Sequence, residues 1–124
     1  MTWIVPADKE AEVDAFWQDH ETWMRETHQI GIVFPKDDKK PRLLTYYISK
    51  GQQPNDPMNP EAGTTGSIIY QMTETYVDES DLQKHMAAAS SWEPFKDGTM
   101  TKYMTEYGIH TTLGHDKVWM TMAD

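Results

Sequence analysis

The chain has 124 residues, of which 20 are acidic and 11 basic, and its formal net charge at pH 7 is -9. Nucleic acid and anionic membrane surfaces bind clustered Lys and Arg, so this charge argues against both partners. No apolar run reaches the roughly 20 residues that a membrane-spanning helix needs, and the start lacks the basic segment of a signal peptide. With no cysteine, disulfides and thiolate chemistry are excluded. These features predict one cytoplasmic domain, residues 1–124.

The first half of the chain predicts a strand, a long helix and a second strand. Residues 2–5 form a short apolar strand that stops at a proline. Residues 8–28 then carry apolar side chains at helical spacing. Residues 42–49 alternate as a strand does, with Leu44, Tyr46 and Ile48 predicted on one face. Residues 51–66 hold three prolines and three glycines, which predicts a long irregular loop.

The second half predicts a strand, helices and a final pair of strands. Residues 67–77 alternate as a strand, and residues 78–91 read as a helix with Asp78 as its N-cap. A further helical segment extends to Tyr107, where Gly108 is the expected stop. Two last strands are predicted at residues 109–113 and 117–122.

This order of elements, β-α-β-β-α-(α)-β, predicts an α+β fold of ferredoxin-like type. Its antiparallel sheet would carry the helices on one face. Both faces of the predicted strands hold Tyr, Ile, Leu or Met, so neither face is a clean solvent face. We therefore expect the sheet of a second copy to cover the face that the helices leave bare, giving a homodimer.

The segment from Gln71 to Phe95 resembles the dimeric α+β barrel superfamily, and most closely its antibiotic-biosynthesis-monooxygenase branch. Members share a strand ending in a glutamate and an aromatic residue, followed by a helix with a histidine one turn inside; these positions are Glu74, Tyr76 and His85. The resemblance implies a homodimeric barrel with a cavity between sheet and helices. Some members oxidise polyketide-like aromatics with O₂ and no metal or flavin, so no cofactor is expected.

Other members of the superfamily degrade heme, which the sequence does not favour. That branch uses an asparagine on the first strand, where this chain has Thr2-Trp3-Ile4-Val5. It also uses a histidine in the segment after the shared motif, and no histidine lies between Trp92 and Ile109. No His-x-x-x-His or His-Glu-x-x-His pair occurs either, so the sequence predicts no metal site.

Three residues are candidates for catalysis. His20 lies on the apolar face of the first helix and is either a general base or a core histidine bonded to a carbonyl or a tyrosine. His85 either contacts a ligand or ties its helix to the sheet through Glu74 or Tyr76. Glu74, a carboxylate among alternating strand residues, is either buried and paired or functional.

Aromatic residues complete the predicted site and could stack on a substrate. They are Trp17, Trp23, Tyr47, Tyr70 and Trp119. The same residue types are also enriched at protein interfaces. The sequence therefore leaves two hypotheses: a small-molecule-binding barrel acting as a cofactor-independent monooxygenase on an aromatic or polyketide-like compound, or a non-catalytic binding or stress-associated barrel. Its partners would be a second copy of the chain and a small apolar or aromatic ligand.

Overall fold

A computed structural model describes residues 1–31, 33–34 and 37–114. It contains five strands and four helices in these residues, and short 3₁₀ turns lie at Ala7–Lys9 and Pro60–Ala62. The elements are β1 (Thr2–Pro6), α1 (Glu10–Thr27), β2 (Gln29–Ile30), β3 (Arg42–Pro54), β4 (Thr64–Tyr76), α2 (Glu79–Ala89), α3 (Glu93–Lys96), α4 (Thr99–Tyr107) and β5 (Gly108–His110).

The strands form one five-stranded sheet in the order β2-β3-β4-β1-β5. β3 and β4 are antiparallel, as are the pairs that β1 makes with β4 and with β5. β2 runs parallel to the start of β3, so the sheet is mixed, and the expectation of a purely antiparallel sheet was wrong. The α+β class is confirmed. The predicted strand at residues 117–122 lies outside the described residues.

The core lies between one face of the sheet and the helices. Trp3 is 1% exposed and packs against Trp17 of α1 with ring centroids 4.7 Å apart. Phe16 and Tyr103 bring α1 and α4 against the same indole. Burying aromatic rings of this size supplies much of the free energy of folding. The next strand residue, Ile4, points to the opposite face of the sheet because side chains alternate along a strand.

The start of α2 is tied to the start of β3 by a buried carboxylate. Asp78 caps the helix by accepting a hydrogen bond from the Asp81 backbone N–H. Asp81 is fully buried and accepts from the Arg42 backbone N–H at 2.9 Å and from its guanidinium at 2.8 Å. This anchor fixes the rotation of α2, and His85 one turn later therefore faces the sheet.

Two predictions about β3 are corrected. Residues 51–66 are not an irregular loop, because β3 extends to Pro54 and pairs there with Thr64 at the start of β4. Near the start of β3 a bulge makes Leu44 an extra residue, since Leu43 pairs with Tyr76 and Thr45 with Thr75. Leu44 is therefore 53% exposed instead of sharing a face with Tyr46.

Candidate functional site

A cluster of buried polar side chains lies between the sheet and helices α1 and α2. We call it the histidine–glutamate cluster, and it consists of His20, His28, Glu74, Tyr76 and His85. α1 supplies His20 from its inner face and is followed directly by His28. β4 supplies Glu74 and Tyr76 from the face that meets the helices, and α2 supplies His85. The structure therefore brings together all three predicted catalytic residues.

The Glu74 carboxyl is the centre of the cluster. Its side chain is 10% exposed, and Oε2 accepts a hydrogen bond from the Tyr76 hydroxyl at 2.9 Å. His85 Nε2 lies 3.5 Å from Oε2, and His20 Nε2 lies 3.8 Å from Oε1. These two separations exceed that of a formed hydrogen bond. Oε1 is buried without a hydrogen-bond partner, so the carboxyl keeps one oxygen free toward His20.

The other ring nitrogens of the histidines have close partners. His20 Nδ1 is 2.8 Å from the Tyr46 hydroxyl, and a tyrosine is one of the two partners expected for His20 as a core histidine. His85 Nδ1 is 2.9 Å from His28 Nε2, and His28 Nδ1 is 2.8 Å from Thr27 Oγ1. The cluster thus consists of two hydrogen-bonded segments, from Tyr46 to His20 and from His85 to the end of α1, with Glu74 between them.

Burial controls protonation throughout this cluster. Desolvation raises the pKa of Glu74 to about 7, although the hydrogen bond from Tyr76 opposes the shift. Desolvation lowers the pKa of His20 to about 3 and those of His28 and His85 to about 4. The imidazoles are therefore neutral near pH 7, where Glu74 changes its charge. The contacts of Glu74 with His20 and His85 are not ion pairs under these conditions.

Two tryptophans pack against the cluster. Trp23 and Trp92 stack with centroids 5.4 Å apart, and both rings contact His20. Trp23 also lies against His28 and His85. Although Trp23 was predicted to bind substrate, its ring shields the histidines and borders neither of the grooves described next. This shielding keeps water from the imidazoles.

An open groove of about 470 Å³ runs between α1 and the outer part of β3. It brings together three of the predicted substrate-binding residues, Trp17, Tyr47 and Tyr70. A neighbouring groove of about 410 Å³ shares Tyr46, Tyr47 and Glu21 with it. The predicted residue Trp119 lies outside the described residues. Three of the five predicted aromatic residues therefore line one surface site.

The polar wall of the larger groove is built around one lysine. Lys50 Nζ lies 2.9 Å from Glu10 and 2.7 Å from Asp14. The Tyr70 hydroxyl donates to Asp14 at 2.7 Å. Two carboxylates thus surround a single ammonium group, which leaves this wall suited to a neutral ligand and not to an anionic one.

Tyr46 and His28 are site residues that the sequence reasoning did not select. Tyr46 lines both grooves and bonds His20, so it connects the surface to the cluster. Its importance follows from its pairing with Glu74 across β3 and β4. His28 lies just past α1, where the helical pattern no longer places its side chain. The only signal for it was its spacing of eight residues from His20.

Within the described parts of the chain, no group of three or more acidic or histidine side chains is arranged to hold a metal ion. None of the helices described has both the length and the apolar character to cross a membrane. Comparison of the chain with protein-family models, curated proteins and solved structures finds no match.

Proposed function

We propose that this chain binds a small phenolic aromatic in the groove between α1 and β3 and removes its hydroxyl proton. The reaction would be a cofactor-independent monooxygenation, as the resemblance to the antibiotic-biosynthesis-monooxygenase branch implies. The observation that carries the proposal is the buried Glu74 carboxyl, whose free oxygen faces His20 while His20 bonds Tyr46 in the groove.

Glu74 is better suited than either histidine to accept the proton. A general base works best when its pKa lies near the working pH. Burial brings the pKa of Glu74 to about 7, whereas it lowers that of His20 to about 3. We therefore assign the proton acceptor to Glu74, and His20 becomes a neutral carrier between it and the groove.

The route of the proton passes through Tyr46. A ligand hydroxyl in the groove would donate to the Tyr46 oxygen, and Tyr46 would pass its own proton to His20 Nδ1 at 2.8 Å. His20 would then release its Nε2 proton toward Glu74 Oε1, now 3.8 Å away. Catalytic contacts are often long in a ligand-free protein and shorten when the ligand binds.

In the oxidation that follows, the ligand and O₂ supply all the atoms and electrons. Removing the phenolic proton leaves an electron-rich ring that reacts with O₂. One oxygen atom becomes a new ring carbonyl and the other leaves as water, while the ring C–H and O–H supply the two hydrogens and all four electrons. The aromatic side chains Trp17, Tyr46 and Tyr70 in the groove walls would hold the ring.

Oxygen consumption with a dihydroxynaphthalene tests this function. The wild-type chain should consume one O₂ for each quinone formed, faster than the compound oxidises alone. Glu74→Gln cannot accept the proton, so its rate should fall by about 100-fold or more. Glu61→Gln changes an exposed carboxylate in the turn between β3 and β4 and should keep the wild-type rate. Equal rates for wild type and Glu74→Gln would contradict the proposed role.

The packing of the cluster favours a second candidate, a non-catalytic binding or stress-associated barrel. Trp23 and Trp92 cover the histidines, and neither groove is lined by Glu74. In that case the cluster only ties α1 and α2 to the sheet. Binding of the naphthalene without oxygen consumption in any variant would support this second function.

The assembly we propose is a homodimer of ferredoxin-like subunits. The strand order β3-β4-β1-β5, taken without the short β2, supports the ferredoxin-like part of this proposal. The face that points away from the helices carries Ile4 opposite Ile69. A second sheet packed there would bury both side chains and complete a barrel.

A further inference from the structure

The hydroxyl of Thr27 sets the protonation of its neighbour. Thr27 Oγ1 lies 2.7 Å from the backbone carbonyl oxygen of Trp23, to which only a donor can bond. A threonine hydroxyl has one hydrogen, so this bond uses it. Toward His28 Nδ1, 2.8 Å away, the same oxygen can only accept. His28 therefore carries its hydrogen on Nδ1.

The position of the hydrogen on His28 determines its position on His85. A neutral imidazole with hydrogen on Nδ1 has a lone pair on Nε2. His28 Nε2 must accept from His85 Nδ1, 2.9 Å away, so His85 also carries its hydrogen on Nδ1. The His85 Nε2 lone pair then points to Glu74 Oε2 at 3.5 Å.

The lone pair of His85 in turn determines how Glu74 holds a proton. An ionised carboxylate facing this lone pair is repelled, so the locked His85 strengthens Glu74 as a proton acceptor. The Tyr76 hydroxyl donates to the same oxygen and the amino terminus adds a positive charge, and both oppose this effect because they favour the ionised carboxylate. Oε1 faces His20 Nε2 at 3.8 Å, and its lone pairs favour a hydrogen on that nitrogen.

The position of the hydrogen on His20 determines which atoms the groove offers to a ligand. With its hydrogen on Nε2, His20 can only accept at Nδ1, and the Tyr46 hydroxyl, 2.8 Å away, must donate to it. The Tyr46 oxygen then has only lone pairs to offer a ligand. A phenol, enol or N–H group satisfies it, whereas an ether or carbonyl oxygen facing it is repelled.

We infer that Thr27 and His28 are positioning residues that fix the direction of the hydrogen bonds from His85 to the Trp23 carbonyl and, across the longer contacts of Glu74, favour donation from Tyr46 to His20, so that the groove selects a ligand with a hydrogen-bond donor. The ligand class rests on the proposed function of the groove. The direction of the bonds does not, because it follows from contacts inside the protein.

Imidazole nitrogen shifts of the uniformly ¹⁵N-labelled chain at pH 7 test the direction. We expect hydrogen on Nδ1 of His28 and His85 and on Nε2 of His20. Thr27→Val removes the acceptor and should move the His28 and His85 hydrogens toward Nε2, whereas Thr27→Ser should keep the wild-type pattern. Thr22→Val is the matched control, because Thr22 makes the same bond to a carbonyl four residues earlier on the exposed side of α1. Hydrogen on His85 Nε2 in the wild type would overturn the inference.

Binding of 2-naphthol and of 2-methoxynaphthalene tests the ligand class. These rings differ in one donor, so the wild type should bind the naphthol about tenfold more tightly. Thr27→Val should narrow this ratio, and Thr27→Ser should restore it. Equal affinity of the wild type for both probes would overturn the selection of a donor. If neither probe binds, the proposed groove and its ligand class both fail, while the nitrogen shifts still decide the direction of the bonds.

Discussion

At the scale of single residues, the histidine–glutamate cluster couples folding to protonation. Glu74 binds a proton more tightly in the folded chain, because burial raises its pKa from 4.5 to about 7. The three histidines bind theirs less tightly, with pKa values that fall from 6.5 to between about 3 and 4. The two effects change the free energy of unfolding with pH in opposite directions. Between pH 4.5 and 6.5 the effect of the three histidines is larger than that of the single carboxyl.

The free energy of unfolding should therefore decrease as the pH falls from 6.5 to 4.5. In this window the unfolded chain protonates its histidines while the folded chain keeps them neutral, which favours unfolding. Above pH 6.5 the unfolded histidines lose their remaining protons while folded Glu74 loses its own through about pH 7, so the two effects nearly cancel. Denaturant titrations at several pH values should therefore show stability that rises up to about pH 7 and then levels.

The variant His20→Asn isolates one histidine from the many carboxylates of the chain. Between pH 4.5 and 6 the unfolded chain binds one proton at His20 that the folded chain does not bind, and this variant removes that difference. The slope of the free energy of unfolding against pH should therefore decrease by about 1.4 kcal/mol per pH unit in this range. His110→Asn removes an exposed histidine and should leave the slope unchanged. An unchanged slope in His20→Asn would show that His20 is protonated in the folded chain.

Sequence periodicity was sufficient to find His20, His85 and Glu74, because each lies on a regular element whose inner face is marked by apolar neighbours. It was not sufficient for Tyr46 and His28. Tyr46 becomes a site residue by pairing with Glu74, and strand register depends on contacts that are distant in the chain. His28 is placed by its bonds to Thr27 and His85 after the helix has ended.

At the scale of elements, the hairpin of β3 and β4 shows why glycine and proline misled the sequence reasoning. Pro54 and Gly66 are turn formers by composition, yet both lie within strands. Pro54 closes the pairing of β3, and Gly66 has φ +86° next to an irregularity between Gln52 and Pro54. Such residues end a strand or mark a bulge, and the sequence alone does not say which.

A matched pair of glycines in this hairpin tests the role of the backbone. Nothing lies within 4 Å of a Cβ built on either Gly66 or Gly51, but only Gly66 has a positive φ. Gly66→Ala should therefore destabilise the hairpin by about 1 kcal/mol through backbone strain. Gly51→Ala should not, because its conformation suits any residue. The Asn55 backbone N–H donates to the Gly63 carbonyl, so its hydrogen-exchange rate should increase in Gly66→Ala and not in Gly51→Ala. Equal exchange rates in the two variants would argue against strain at Gly66.

At the scale of the whole molecule, the two faces of the sheet differ. The inner face holds Trp3, Val5 and Tyr70 beneath the helices, and each of these side chains is almost fully buried. On the outer face, the Ile4 and Ile69 pair lies between polar neighbours, with Thr2 opposite Gln71. A face of this mixed character can pack against a second sheet or face water, and the sequence pattern does not distinguish these cases.

Sedimentation of the purified chain distinguishes an outer face that packs against a second sheet from one that faces water. If the proposed homodimer forms, the mass at micromolar concentration should be twice the 14.4 kDa of one chain. Ile69→Lys would place an unpaired ammonium group between the two sheets, and desolvating that charge should shift the chain to the monomer. Ala15→Lys adds the same charge at an exposed position of α1 and should leave the dimer intact. A wild type that sediments as a monomer would exclude the barrel. If both lysine variants remain dimeric, the contact lies elsewhere than on the outer face.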